Sequence, residues 1–379
     1  MTGHSAPETL TEQALRRVVV SRFDVQQLVL IPILAVLMAL VLGGIVMLAT
    51  RVPLQSVGIA YAALFTGSLG SLSAISETLT AATPLIFAGL GIALGFRAGL
   101  FNIGAEGQVL LGGMAAVVVG FSFETLPWYL HVPLALLAGA VAGGAWAAIA
   151  GWLRAATGAH EVITTIMLNL IAMRLTDYLL RNPPIQREGR SDPISKSVFE
   201  TAQLRPLLAW YDPTLRVHAG ILIALAAVAL VWWLLYKTTL GFEFRASGLN
   251  PDAARYAGMR SGLIIVIVMA LAGALAGIAG ANQVIGVLAH ASPGFSSGIG
   301  FDAIAVALLG RSHPVGVLLS GLLFGALQAG GREMQVDADV SLDLIGIIPA
   351  LIIIFIAAPM LVRGVFPWFF RAQKAGSQA

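Results

Sequence analysis

Thr83–Gln108, TPLIFAGLGIALGFRAGLFNIGAEGQ, is the stretch whose reading decides the fold. It begins as an apolar helix, with Pro84 suited to the first turn behind Thr83. The run then gives way to small, polar and charged residues, Asn102, Gly104, Glu106, Gly107 and Gln108, and a second apolar run follows at once. Hydrocarbon cannot hydrogen-bond an unwound backbone, so such an interruption survives at membrane depth only inside protein or beside water. Broken helices of this kind line the paths of transported solutes. The same spacing also fits a short cytoplasmic turn between two ordinary helices, and spacing alone leaves both readings open.

Composition sets the class. The chain of 379 residues is 58% apolar and only 11% charged, with a mean hydropathy of +0.88. Soluble domains carry about 25% charged residues, so this is an integral membrane protein. The net charge of +3 is small and no basic-aromatic stripe is present, which argues against nucleic-acid binding. With no cysteine, disulfides, thiolate catalysis and Cys-ligated metals are excluded. The histidines show no ligand spacing, and no metal is expected.

Apolar runs recur at about 28–50, 83–98, 108–123, 132–153, 161–180, 217–236, 262–281, 299–310, 314–331 and 342–362. The expectation is an all-α polytopic protein with about ten transmembrane helices, some of them interrupted. The first run follows Arg16, Arg17 and Arg22 and lacks an A-x-A cleavage pattern, so it reads as a retained helix. The segment 56–76 is rich in Gly and Ser and reads as interfacial, re-entrant or spanning. Keeping it outside and the N-terminus inside puts Arg97, Arg154, Arg255, Arg260 and Arg311 in the cytoplasm, so the short loops obey the positive-inside rule, although the basic loop from Arg181 to Arg216 does not. That arrangement gives a cytoplasmic tail at 1–27, a membrane domain at 28–365 with an extracytoplasmic loop at 181–216, and a cytoplasmic tail at 366–379. A candidate internal repeat pairs the break at Gly99–Gly107 with PGFSSGIGFD, Pro293–Asp302. Gly91-x3-Gly95, Gly139-x3-Gly143, Gly273-x3-Gly277 and Gly321-x3-Gly325 allow close helix approach.

The loop at 237–261 contains a short capped helix. Asn250 is a good N-cap and Pro251 fits the first position; Asp252 and Arg255 complement the two helix ends, and Gly258 suits a left-handed stop. It reads as a rigid element presented to a partner or as a connector on the bilayer surface. For the pathway, the acids at the breaks are Glu106 and Asp302. Asn102, Gln108, Asn169, Asn282 and Gln283 add amide hydrogen-bonding capacity, and Phe87, Phe101 and Phe301 offer rings for a planar base. Ionisable groups in the membrane usually face protein or water, but amides also join helices and Glu106 and Asp302 equally suit helix ends. Arg174 and Asp177, one turn apart, suggest a local ion pair. Gly294–Gly298 spells G-x-S-x-G, yet that motif needs a strand-turn-helix setting and is rejected as a nucleophile elbow.

ATPLIFAGLGIALGFRAGLFNIGAEGQ, GAHEVITTIMLNLIA (Gly158–Ala172), GLNPDAARYAGM and GFDAIAVALLGRSHPVG (Gly300–Gly316) together resemble one family. They are similar to the inner-membrane permeases of bacterial ABC importers in the ribose/branched-chain amino acid permease superfamily, nucleoside and simple-sugar branch, over roughly residues 28 to 365. The resemblance implies a second homologous permease subunit as heterodimer partner. It also implies a cytoplasmic ABC ATPase and an extracytoplasmic binding protein or lipoprotein. The family's coupling loop falls on Gly241–Met259, which would set Glu243, Arg245, Asn250, Pro251, Asp252, Ala254 and Arg255 at the ATPase surface. No G-x-x-x-x-G-K-[ST] motif occurs in the chain. ATP and magnesium are therefore expected on the partner, with no cofactor and no enzyme activity here. The expected function is nucleoside import across the cytoplasmic membrane, with both termini inside. The alternatives are the same machine carrying simple sugars or another small solute, a passive channel, and an intramembrane lipid-modifying enzyme.

Overall fold

The computed structural model describes residues 31–357 and the isolated positions 361 and 365. The tails expected at 1–27 and 366–379, and the last part of the run at 342–362, lie outside the described residues. In chain order the helices are α1 (Ile31–Ala49), α2 (Leu54–Leu69), α3 (Leu72–Arg97), α4 (Ala105–Ser122), α5 (Trp128–Thr157), α6 (Glu161–Leu180) and α7 (Gly220–Lys237). They continue as α8 (Thr239–Leu249), α9 (Pro251–Tyr256), α10 (Ser261–Gln283), α11 (Ile299–Leu309), α12 (Pro314–Ala338) and α13 (Leu342–Ala357). Among the described residues no strand forms, and the protein is an all-α multi-pass membrane protein. Helices α3, α4, α5, α6, α7, α10 and α12 are long and apolar enough to cross a bilayer. Helices α2, α11 and α13 are apolar but shorter among the described residues. With 11 residues, α11 is about 16 Å long, roughly half of a ~30 Å hydrocarbon core.

The chain divides into two compact units. The smaller one holds α1 and nearly all of α13, in which Pro349 sits inside the helix. The larger, 55–342, is built around α3, buried at every residue from Thr80 to Gly95. A helix that is apolar all round belongs inside protein, and α7, α10, α11 and α12 all pack on α3.

Helix α3 corrects two readings. It begins at Leu72, not at the apolar run from 83, and Pro84 lies inside it rather than in its first turn. The cause is the hydroxyl chemistry of 71–83. Ser71 caps the helix by accepting from Ala74 N–H at 3.0 Å, while Thr80 and Thr83 donate back to the carbonyls of Ser76 and Leu79. Thr78 donates across to Ser68 O at 2.8 Å. These bonds satisfy the hydroxyls internally, so a stretch that looks polar is a buried helix. The ambiguous segment 56–76 becomes α2, a break at Gly70–Ser71 and the start of α3. At 16 residues, α2 is about 24 Å long, short of a ~30 Å core.

The glycine pairs meet one another. A Cβ on Gly277 would lie 2.1 Å from Gly139 O, one on Gly143 would lie 2.4 Å from Gly273 O, and one on Gly112 would lie 2.3 Å from Gly277 Cα. Helices α4, α5 and α10 thus touch backbone to backbone. On α12, Gly325 presses on the backbone of α3 at Ala82 and Thr78, and Gly321 on the Ile86 side chain.

The long connection after α6 is folded down rather than free. Ser195, Val198 and Leu204 donate backbone N–H groups to the carbonyls of Ala291, Ala289 and Ile285 at 2.8–2.9 Å. Val198, Ala202 and Leu204 share a core with Ile285 and Phe295.

Candidate functional site

The two interruptions meet. After α3 the chain reverses through Ala98–Gly104, with Gly99 at φ +71 and Leu100 N–H bonded to Gly95 O. The second interruption follows α10, through a π-helical turn at Val284–Leu288 and a loop in which Gly294, Ser297 and Gly298 all have positive φ. Glu106, in the first turn of α4, joins them. Its carboxylate accepts from Gly300 N–H at 2.8 Å and from the Ser296 hydroxyl. It therefore lies between the N-termini of α4 and α11, whose partial positive charges favour an anion there. A Cβ on Gly300 would lie 2.2 Å from Glu106 N, so the two helix starts are in direct contact.

The amides complete this frame. Asn102 and Gln108 exchange hydrogen bonds at 3.0 and 3.1 Å, and Asn102 Oδ1 also accepts from Gly104 N–H. Asn169, midway along α6, accepts from Gly107 N–H and donates to Ile103 O, both at 2.8 Å. Glu161 at the start of α6 accepts from Phe101 N–H at 3.1 Å and pairs with Arg154. Asn102, Glu106, Gln108 and Asn169 are all buried. The unwound backbone is satisfied inside protein. Replacing Asn169 with Leu strands the Gly107 N–H and the Ile103 carbonyl, and is expected to lower stability by about 2 kcal/mol. A thermal melt of the detergent-extracted protein checks this, and an unchanged midpoint counts against the frame.

Other candidates fall elsewhere. Phe87 is enclosed in α3. Phe101 and Phe301 are exposed, the former against Phe96 with ring centroids 4.9 Å apart. Asp302 accepts from Gln328 at 3.0 Å. Gln283 is half-buried. Asn282 is fully buried beside Gly220, and neither of its amide atoms has a hydrogen-bond partner among the described residues. Arg174 and Asp177 do not form the expected ion pair; neither has an ion pair or hydrogen bond among the described residues. Arg174 lies on the exposed face of α6, whereas Asp177 turns with Met173 and Thr176 into a cleft. The serine of the rejected nucleophile motif is otherwise engaged, since Ser296 bonds Glu106.

That cleft has a volume of about 200 Å³ and opens beside the meeting point. Its walls are Glu106 and Leu110 of α4, Met173, Thr176 and Asp177 of α6, and the 294–298 turn. Thr176 and Ser297 escaped the sequence reading, and Ser296 entered it only through the rejected motif, because a hydroxyl in an apolar run carries no signal of what it faces.

At 237–261 the capping pattern yields α9. Asn250 Oδ1 accepts from Ala253 N–H at 3.0 Å, Pro251 is the first residue, and Gly258 has φ +86. Asn250, Pro251, Asp252 and Arg255 are exposed, while Ala254 is buried. Glu243 and Arg245 are half-buried on α8, with Arg245 over the Tyr236 ring at 5.3 Å. Helix α8, Leu249 and Tyr256 were not foreseen. Leu249 is 88% exposed and Tyr256 94% exposed, on a segment too polar to be a membrane span. The end of α8 also reaches the first interruption: a Cβ on Gly248 would lie 2.3 Å from Arg97 O, and Gly99 is packed on Gly248. Arg97 in turn donates to Ser312 O at 2.9 Å and to Arg311 O.

Among the described residues two broken helices are thus joined inside the protein, with a small cleft at their junction and an exposed, capped helix in α9. The chain belongs to the family described as branched-chain amino acid transport system / permease component, which it matches over residues 74–357. It is 41% identical over 336 residues to the guanosine ABC transporter permease protein NupP of Bacillus subtilis, covering 88% of this chain and 94% of that one. It is 40% identical to the glucose ABC transporter permease protein TsgB13 of Haloferax volcanii, over 86% of each. It is 36% identical to the nucleoside ABC transporter permease protein NupB of Lactococcus lactis, over 89% of this chain and 93% of the relative. No solved structure matches the chain.

Proposed function

We propose that this chain is a permease subunit of an ATP-driven importer of nucleosides in a bacterial cytoplasmic membrane, with both termini in the cytoplasm. Carrying this reading is the near full-length similarity to a relative named for guanosine. A second homologous permease, a cytoplasmic ABC ATPase that binds ATP and magnesium, and an extracytoplasmic binding protein or lipoprotein complete the machine. Hydrolysis occurs on the ATPase, and this subunit changes shape. Helix α9, which ends at the exposed Tyr256, together with Leu249 just before it, is the surface offered to the ATPase. The relative named for glucose, nearly as similar, favours a second reading in which the cargo is a simple sugar.

Uptake into vesicles holding the intact transporter separates the readings: labelled guanosine accumulates and glucose does not if the first is right. Vesicles holding this polypeptide alone should accumulate neither, and uphill uptake by the isolated chain would end the proposal. Arg255→Glu reverses a charge on the exposed end of α9 and should cut transport about tenfold, the scale of a disrupted interface anchor. The melting temperature should not move, because Arg255 is exposed and makes no ion pair among the described residues. Unchanged uptake would place the ATPase contact elsewhere.

A further inference from the structure

Resting on the reading above, we propose that the cleft between α4, α6 and the 294–298 turn is a sugar subsite on the transport path. In it Asp177 and Thr176 take the vicinal hydroxyls of a neutral pentose or hexose ring. Thr176 is 2% exposed, lines the cleft, and its hydroxyl has no hydrogen-bond partner among the described residues. A buried hydroxyl left unpaired is costly, which points to a partner that arrives from the cleft. Asp177, the next residue, is half-buried, lines the cleft and is not engaged by Arg174. An ionised carboxylate is acceptor-only, and its two oxygens match the two O–H donors of a vicinal diol. Glu106 is already committed to Gly300 and Ser296, so it forms wall and field rather than a contact.

The lining excludes as well as admits. Among the described residues no Lys, Arg or His lines the cleft, and both charged side chains there are acids. A phosphate would meet two carboxylates and no cationic side chain, with the helix-end charge of α4 and α11 already taken up by Glu106, so the subsite takes nucleosides and free sugars in preference to their phosphates. Leu110 and Met173 supply an apolar wall for the C–H face of a ring. At about 200 Å³ the cleft lies below the ~300–1,000 Å³ of pockets for drug-sized ligands, and it fits one ring rather than a whole nucleotide.

The test uses the intact transporter in vesicles, with guanosine, 2′,3′-dideoxyguanosine and glucose as labelled cargo. Asp177→Asn and Thr176→Val should each lower guanosine uptake about tenfold, the loss expected for a hydrogen bond to a charged or buried group. Dideoxyguanosine uptake should stay unchanged, and Thr176→Ser should restore guanosine uptake. If glucose uptake falls instead of guanosine uptake in the same variants, the ring belongs to a free sugar, and the subsite stands. If the guanosine-to-dideoxyguanosine ratio keeps its wild-type value, or both nucleosides fall equally, the subsite is overturned. A wild-type transporter that moves neither guanosine nor glucose overturns the proposed function, and the subsite with it.

Discussion

Gly277→Leu is expected to leave little folded permease in the membrane. Gly277 faces Gly139 and Gly143 of α5 on one side and Gly112 of α4 on the other, and its missing Cβ would sit 2.1 Å from a backbone oxygen. That neighbour is no flexible side-chain tip, so whole helices must separate to admit even a methyl. Overpacking a tight core typically costs about 1–3 kcal/mol, and a leucine at a three-helix backbone contact belongs at the top of that range or above it. Packing is what holds membrane helices together, because lipid offers no hydrophobic drive between them. The control is Gly58→Ala on α2, where a Cβ would meet nothing within 4 Å. Size-exclusion chromatography of detergent extracts should show Gly277→Leu aggregated or absent and Gly58→Ala unchanged. A monodisperse Gly277→Leu peak with wild-type melting would refute the close seam.

The second large effect is expected from Glu106→Ala. Its carboxylate receives one N–H from α11 and one hydroxyl from the loop before it, and alanine leaves both donors buried and unpaired. At about 1–3 kcal/mol for each stranded group, with the favourable charge at two helix N-termini also lost, the change should cost about 4 kcal/mol and abolish uptake. Ser296→Ala removes one of the two bonds and strands no backbone donor, so it should cost less, about 1 kcal/mol. If instead Glu106→Ala melts like the wild type yet fails to transport, the carboxylate acts on cargo rather than as the tie between the two broken helices.

Much of this was legible in the chain. The break after Arg97, the Asn250–Pro251 helix start and the glycine pairs all carry local signals, a cap, a fixed φ or an i,i+4 spacing. What joins them was not legible. Glu106 finds its backbone donor 194 residues away, at Gly300. Asn169 reaches Gly107 and Ile103 across more than 60 positions, and no periodicity announces such a partner. The start of α3 was misplaced for a different reason. Ser76, Thr78, Thr80 and Thr83 lower the hydropathy of a segment whose hydroxyls all fold back onto carbonyls or backbone. Arg174 and Asp177 show the converse error: sequence proximity on a helix suggested a pair, but their directions around the axis differ.

Gly248 abuts Arg97 and Gly99 with no side chain between. In the proposed cycle, the ATPase moves α9, and α8 shifts with it. Rotamers along a chain of packed side chains can absorb a displacement of a fraction of an ångström. Bare main chain pressed on bare main chain has no such slack, so the junction acts as a stiff pushrod with no lost motion. In that cycle its travel reaches the reversal at Ala98–Gly104 directly, while the link onward to the 311–312 corner runs through the Arg97 side chain and is the softer of the two.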